Sequence, residues 1–398
     1  FGDLGDMSGS LVSYFEDLGA SKMNKGENPA TWMLNVLGET IVVDGEDGRE
    51  EPLDFAKAWA ESSNNADLQL RMAEATEAQD PKSEIKYETE FAAPWYKRDN
   101  LMARRLVTIY WRSPAYNLSR MVLSLVIAFL LSSIFIPLRS KLVFTEPEIT
   151  SLLSTIFISF IIIGVLSITS VIPVALSIRD MYYRHKAAGM LNSRSLGRAF
   201  ASAEKRFIII SSVLFCIVFV PTSGIVDSPD KDLRTKAKES IAFWGFFAFN
   251  GAIYSYIGQL FTCLVRGQGT ATILASIFIG INNFFSGLIV RPQQMTGFWQ
   301  ITYWINPGHF VYEGLVMSVF SRDTRRVIVR EGSDYFIPLG CDPGIQCEVE
   351  VSVYVDSFFG GFFQHSHVIR NAIILGCILA AVRMSTFLAL GFCTYSGK

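Results

Sequence analysis

Between Ile149 and Ile178 the chain carries no charged side chain, and the run stops abruptly at "RDMYYRHKAAGM". A helix rises about 1.5 Å per residue, so roughly 20 apolar residues cross a hydrocarbon core about 30 Å thick. Four more charge-free runs approach or exceed that scale, at 121–137, 207–226, 240–265 and 267–290. A sixth, 369–393, is interrupted by Arg370 and Arg383. The pattern predicts an all-α polytopic membrane protein with six transmembrane helices, which places both chain ends on one side.

Residues 1–100 read differently, with frequent Asp, Glu, Lys, Asn and Gly and no window that approaches a span. From Leu11, "LVSYFEDLGASKMNKGENPATWMLNVLG" has apolar positions at helical spacing on both sides of Asn28-Pro29, which predicts a helix, a turn and a second helix. Residues 39–88 are polar and acidic except for an amphipathic piece near Phe55–Met72, and predict a linker carrying one helix. Leu101–Trp111 is basic and amphipathic, with Trp95, Tyr96, Tyr110 and Trp111 among the charges. It is expected to lie in the membrane interface with its apolar face toward lipid headgroups.

Half of the residues are apolar and 18% are charged, a low share for a globular protein. Lys and Arg gather before the first run (97–120) and between the second and third (179–206), and basic loops stay on the cytoplasmic side. Both termini are therefore expected in the cytoplasm, with 291–368 as an external loop. The segment "RPQQMTGFWQITYWINPGHFVYEGLVMSVF" is aromatic, only partly apolar and broken by Pro292 and Pro307. It predicts short re-entrant helices at the outer interface, anchored by Trp299, Tyr303 and Trp304. The chain has no basic-then-apolar leader and begins at Phe1, so a segment of a longer protein is the expectation.

Candidate chemistry is sparse. No GxxxxGK[ST], GxSxG, HExxH or paired CxxC occurs, and no catalytic constellation or metal site emerges. His365 and His367 have a spacing that can bind a metal with help from an acid, but no ligand cluster accompanies them, and interfacial residues at a helix start are the plainer reading. Arg383 is the charge at the middle of a predicted span, where it marks a pathway or a partner unless its stem reaches an interface. Cys341 and Cys347, in "CDPGIQC", are the cysteines of the predicted external loop, and Pro343 and Gly344 let the chain turn back. A disulfide is expected there, with two free thiols as the alternative.

Several long segments, in order, carry a family likeness: "NPATWMLNV" (28–36), "YWRSPAYNLSR" (110–120), "RDMYYRHKAAGM" (179–190), "NNFFSGLIV" (282–290) and "YWINPGHFVYEGL" (303–315). Together they resemble the pleiotropic drug resistance group of G-type ATP-binding-cassette (ABC) transporters over nearly the whole chain. The resemblance implies the tail of a nucleotide-binding domain at 1–37, a cytoplasmic linker at 38–93, a connecting interfacial helix at 94–120 and the second transmembrane domain at 121–398. It implies that the Walker and signature motifs lie upstream, so that the chain is no enzyme and binds no cofactor by itself, while ATP and Mg belong to the full-length transporter. The implied partners are nucleotide-binding domains, a first transmembrane domain, membrane lipids and small amphipathic cargo, with no nucleic acid, in a plasma membrane.

The same resemblance implies a coupling loop at 179–206 seated on a nucleotide-binding domain, with Arg179, Tyr182, Tyr183, Arg184, Lys186 and Glu204 as its working residues. It implies a substrate cavity between the second and fifth spans, at Ile163, Leu166, Ser276, Gly280 and Asn283, closed above by a valve of Leu288 and Ile289. The chain departs from the family at Ile178 and His185, where acids are usual, and at Lys205-Arg206, where Ile-Pro is usual. Altered salt bridges between the connecting helix and the loop are therefore expected. The function implied is the transmembrane half of an ATP-driven exporter for amphipathic, lipid-like or xenobiotic molecules. An ATP-independent transporter or channel is the competing class, disfavoured by the lack of internal repeats and of intramembrane acids.

Overall fold

The computed structural model describes residues 4–39, 41–44, 50–77, 89, 91, 93–343 and 346–393. The chain divides into two compact units, Phe1–Glu88 and Thr89–Lys398. In the first, α1 (Gly9–Asp17) and α2 (Pro29–Gly38) precede a hairpin of β1 (Val42–Asp44) and β2 (Glu50–Pro52), then α3 (Phe55–Glu61) and α4 (Ser63–Glu77). The break before α2 is set by Asn28, whose Oδ1 accepts from the Ala30 amide at 3.0 Å, and by Pro29 at the first helical position.

Phe15, Trp32 and Val36 form the buried centre of this unit, and the Trp32 indole donates to the Ser21 carbonyl at 3.1 Å. Phe55 lies 5.7 Å from Phe15 and Trp59 lies 5.4 Å from Tyr14, ring to ring. The stretch expected as a linker thus shares a core with the helices before it. It carries two helices instead of one, because Ser62 takes an extended conformation between them and its hydroxyl accepts from the Asn65 amide.

The second unit is built on α5 (Trp95–Trp111), α6 (Pro114–Ser133), α7 (Glu146–Ala187), α8 (Ser193–Ser223), α9 (Leu233–Leu264), α10 (Gln268–Phe284) and α14 (His367–Phe392). Between α10 and α14 come α11 (Phe298–Ile305), α12 (Pro307–Phe320) and α13 (Val351–Phe358). β3 (Val143–Thr145), β4 (Arg326–Val329) and β5 (Cys347–Glu350) form a sheet in that order, β3 parallel to β4 and β4 antiparallel to β5. The chain is mostly helical, and these two small sheets amend the all-α expectation. Strands of three or four residues are too short to leave a periodicity in the sequence.

The six apolar runs centre on α6–α10 and α14, although 121–137 continues past the end of α6 and 267–290 past the end of α10, and α6, α7, α8 and α14 are long and apolar enough to cross a membrane. α7 outlasts its run at both ends. α7 has 42 residues, about 63 Å of helix or twice a hydrocarbon core. α5 corrects its expectation more sharply: Met102, Leu106 and Tyr110, one face at four-residue spacing, are buried, and α5 packs along α8. Its apolar face meets protein, while Trp95, Tyr96 and Trp111 stay exposed.

α7 and α9 approach closely because each offers a glycine to the other. A Cβ on Gly164 would lie 2.7 Å from the Tyr254 ring, and one on Gly258 would lie 2.6 Å from Val171. Gly245, also in α9, has nothing within 4 Å of that position. Gly164→Ala and Gly258→Ala should therefore each cost about 1–3 kcal/mol by forcing these helices apart, whereas Gly245→Ala should be neutral or stabilise by about 0.5–1 kcal/mol. Thermal unfolding of the purified full-length protein in detergent reads this contrast, and equal losses at all three positions would contradict the packing account.

Candidate functional site

Where α5, α6, α7, α8, α9 and α14 meet, the structure buries a charge pair. Arg120 of α6 lies 2.5 Å from Glu204 of α8, and the two side chains are 3% and 0% exposed. Tyr116 OH donates to the same carboxylate oxygen at 2.8 Å, and Gln259 Nε2 of α9 donates to the other at 3.3 Å. Arg120 Nη2 reaches the Ser255 hydroxyl and the Ser167 carbonyl of α7. Gln259 Nε2 also reaches Tyr110 OH of α5. Arg383 of α14 joins through Gln259 Oε1 at 2.9 Å and the Gly197 carbonyl, its guanidinium 4.8 Å from the Tyr256 ring centroid.

Two assignments change here. Glu204 is not in a loop: α8 begins at Ser193, and the spacing of Phe200, Ala203 and Phe207, all buried, continues the helix past the predicted end of the loop. Arg120 is not a flanking residue of the first span but lies six residues inside α6, which starts at Pro114. Arg383 accordingly finds a buried acid in its neighbourhood, where the sequence reading found none. The usable signals were the Tyr116/Arg120 pair at four-residue spacing and a lone Glu three residues ahead of an apolar run.

The segment 179–206 resolves into the last turns of α7, a turn at 188–192 and the start of α8. Gly189 closes α7 with a φ of +66° that favours glycine, while the Gly189 and Met190 amides donate back to Lys186 and His185 carbonyls at 3.1 and 2.9 Å. Arg179 is buried and donates to the Thr262, Val265 and Arg266 carbonyls at 2.6, 2.5 and 2.9 Å. Tyr182 is buried, Tyr183 OH donates to the Cys393 carbonyl at 3.0 Å, and Lys186 Nζ donates to the Gly391 carbonyl at 3.2 Å. Arg184 is exposed. Beside this end of α7 a cavity of about 450 Å³ is lined by Arg98, Leu101, Met102 and Arg105 of α5 with His185, Gly189, Met190 and Leu191. α5 is tied to α8 by Asp99–Arg198 at 2.6 Å and by Arg98 Nε to Ser195 Oγ at 3.1 Å.

The five expected cavity residues are not gathered around one enclosed space. Ile163 and Asn283 are buried and Leu166 half-buried, while Ser276 and Gly280 are exposed. Asn283 Oδ1 accepts from Tyr254 OH at 2.8 Å, and its neighbour Asn282 donates to the same hydroxyl and accepts from the Gly308 amide, both at 2.8 Å. Ile273, Ser276, Ile277, Gly280 and Phe284 share one exposed face of α10. Leu288 is half-buried and Ile289 exposed beyond its end.

The remaining candidates have definite places. Cys341 and Cys347 are joined by a disulfide with their Cα atoms 5.6 Å apart. His367 and His365 diverge: His367 Nδ1 meets buried Glu313 at 2.8 Å, whose other oxygen accepts from Asn371. His365 faces Ser321 and Arg322 at 2.8 and 3.2 Å, and burial, then the Arg322 charge, hold it below its ordinary pKa. A neutral ring fits that geometry, with Nε2 accepting from Arg322 and Nδ1–H donating to Ser321.

The family model described as ABC-2 type transporter matches residues 100–320, more than half of the chain. The chain belongs to that family. This ABC-2 chain is 26% identical over 380 residues to ABC transporter G family member 33 of Arabidopsis thaliana, covering 94% of the chain and 24% of that relative. It is 26% identical to pleiotropic drug resistance protein 1 of Nicotiana tabacum, covering 84% and 22%, and 27% identical to a rice ABC transporter G family member 36, covering 92% and 23%. Those names mark the ABC-2 chain as G-type, and it spans about a quarter of the length of the curated relatives it matches.

Removing one member of a buried pair leaves the other charge uncompensated, whereas removing both does not. Glu204→Gln should destabilise the ABC-2 chain by about 3–5 kcal/mol, and Arg120→Met combined with Glu204→Gln should recover most of that loss. A double-mutant cycle on detergent unfolding of the full-length protein measures it. Additive losses would mean that the two residues do not depend on each other.

Proposed function

We propose that this chain is the transmembrane half of an ATP-driven G-type exporter that moves amphipathic, lipid-like or xenobiotic molecules. The observation that carries the reading is the ABC-2 match across residues 100–320, which takes in α6–α10 and the end of α7. On this reading α9 and α10 complete six spans, both chain ends are cytoplasmic, the membrane is the plasma membrane, and Phe1–Leu37 is the tail of a nucleotide-binding domain. ATP and Mg are held by nucleotide-binding domains outside this sequence, since nothing in it matches a phosphate-cradling loop.

The exposed α10 face then borders cargo, the first transmembrane domain supplying the opposite wall and Leu288 and Ile289 standing above. Its isoleucines and phenylalanine desolvate an apolar body, and the sparse polar groups leave selectivity broad. The basic cavity between α5 and the turn after α7, lined by Arg98, Arg105 and His185, is where a nucleotide-binding domain seats, and exposed Arg184 is the neighbouring charge available to it. Guanidinium groups suit that task because they make charge-assisted bonds to carboxylates.

The test uses the full-length transporter in vesicles, with ATP-dependent accumulation of a fluorescent amphipathic dye, ATP hydrolysis and abundance measured on one preparation. Arg184→Ala should lower dye transport per ATP hydrolysed while ATP binding and abundance stay near parental values. A desolvated contact is worth about 3–5 kcal/mol and an exposed charge about 0–1, so parental transport in Arg184→Ala would remove this residue from the coupling surface. ATP hydrolysis by residues 1–398 expressed alone would overturn the assignment of the ATPase to other domains.

A further inference from the structure

The carbonyl ends of α9 and α14 converge on one face of α7. Arg179, Tyr183 and Lys186 stand at i, i+4 and i+7, which a helix places on a single side. A helix leaves its last four carbonyls without internal partners, and these three donors answer them in two other helices. Arg179 takes the Thr262 carbonyl in the last turn of α9 and the Val265 and Arg266 carbonyls of the elbow between Leu264, the last residue of α9, and Gln268, the first of α10. Tyr183 and Lys186 take the Cys393 and Gly391 carbonyls at the end of α14. A planar guanidinium can meet three carbonyls at once where an ammonium offers a point charge, which accounts for Arg at the elbow.

We infer that this face is the junction through which a displacement of the α7 end is passed to α14 and, through the elbow, to α10. Arg179 is the positioning residue for α10, and Tyr183 with Lys186 positions α14. The inference rests on the coupling role proposed above and adds which helices move together. The opposite side of the same turns carries exposed Arg184. One short stretch therefore has a gripping face inside the bundle and a receiving face outside it. The close α7–α9 packing at Gly164 and Gly258 makes those two helices one body, so the α9–α10 elbow is the first place where motion can be turned.

The experiment uses the full-length transporter in vesicles, with Thr272→Cys on exposed α10 as reporter, labelled by a water-soluble maleimide with and without ATP plus orthovanadate. The parent should change its labelling rate by about threefold on nucleotide trapping. Arg179→Gln should abolish that change and lower dye transport per ATP by about fivefold while nucleotide binding persists. Arg179→Lys, which keeps the charge but offers a single donor nitrogen in place of the guanidinium fork, should fall between. A merely structural cap would lower abundance and leave both ratios alone, so a parental labelling change and transport ratio in Arg179→Gln overturn the junction. If Arg179→Gln does not reach the membrane, Tyr183→Phe with Lys186→Met decides. These lose only the α14 bonds, and an unchanged transport ratio overturns the inference. A parent without ATP-dependent transport would instead remove the exporter reading.

Discussion

A guanidinium and a carboxylate held 2.5 Å apart beyond the reach of water need their other polar atoms answered by protein, or the desolvation of each ion, several kcal/mol, goes uncompensated. Arg120 and Glu204 impose that demand on the second unit of this chain. Tyr116, Gln259, Ser255 and the Ser167 carbonyl meet most of it, leaving Arg120 Nε without a hydrogen bond, and each comes from a helix whose position is thereby fixed. Arg383 and Tyr110 attach to Gln259, so α14 and α5 are held by the same residue that steadies the acid. The pair adds little net stability compared with an apolar replacement, but it defines one registry for six helices at once, because a shift by one turn would strand a charge.

α10 contributes none of the residues of that knot. It is held at its start by the elbow that Arg179 grips, and at its end by the Tyr254, Asn282 and Asn306 hydrogen bonds that also fix the start of α12. Between these points its Ile273, Ile277 and Phe284 face away from the bundle. A helix pinned at its ends with an open flank is suited to tilt without disturbing the buried charges beside it. The same division explains why the cavity residues do not surround an enclosed space within this one chain.

The apolar runs were legible because charge-free stretches of that length have few soluble uses, and each has a helix at its centre. The extra length of α7 and α8 was not, since their outer turns are as polar as a loop and their continuation depends on packing: Ala199, Phe200 and Ala203 are buried only once α5 and α14 are in place. The α5 face at 102, 106 and 110 was visible as a stripe, but a stripe does not say whether lipid or protein covers it. The hairpin and the three-stranded sheet were invisible for a different reason. Val143–Thr145 pairs with Arg326–Val329 across some 180 positions of sequence, and no local signal reports so distant a partner.

Arg179 and Arg184 show where residue counting ends and geometry begins. Both enter the tally of basic residues that orients the chain, and by composition they are equivalent. Five residues of helix rotate the second by about 500° relative to the first, which leaves them on different sides of α7. One guanidinium is buried on three carbonyls and the other is in solvent. The basic character of "MYYRHKAAGM" is thus divided between two tasks, satisfying helix ends within the bundle and presenting charge outside it. A stretch with only the first task would have no need of exposed cations, and one with only the second would have no need of buried Tyr182 and of tyrosine and lysine donors aimed at another helix's last turn. Having both is what lets a single turn of chain be at once a fixed part of the helix bundle and a charged surface outside it.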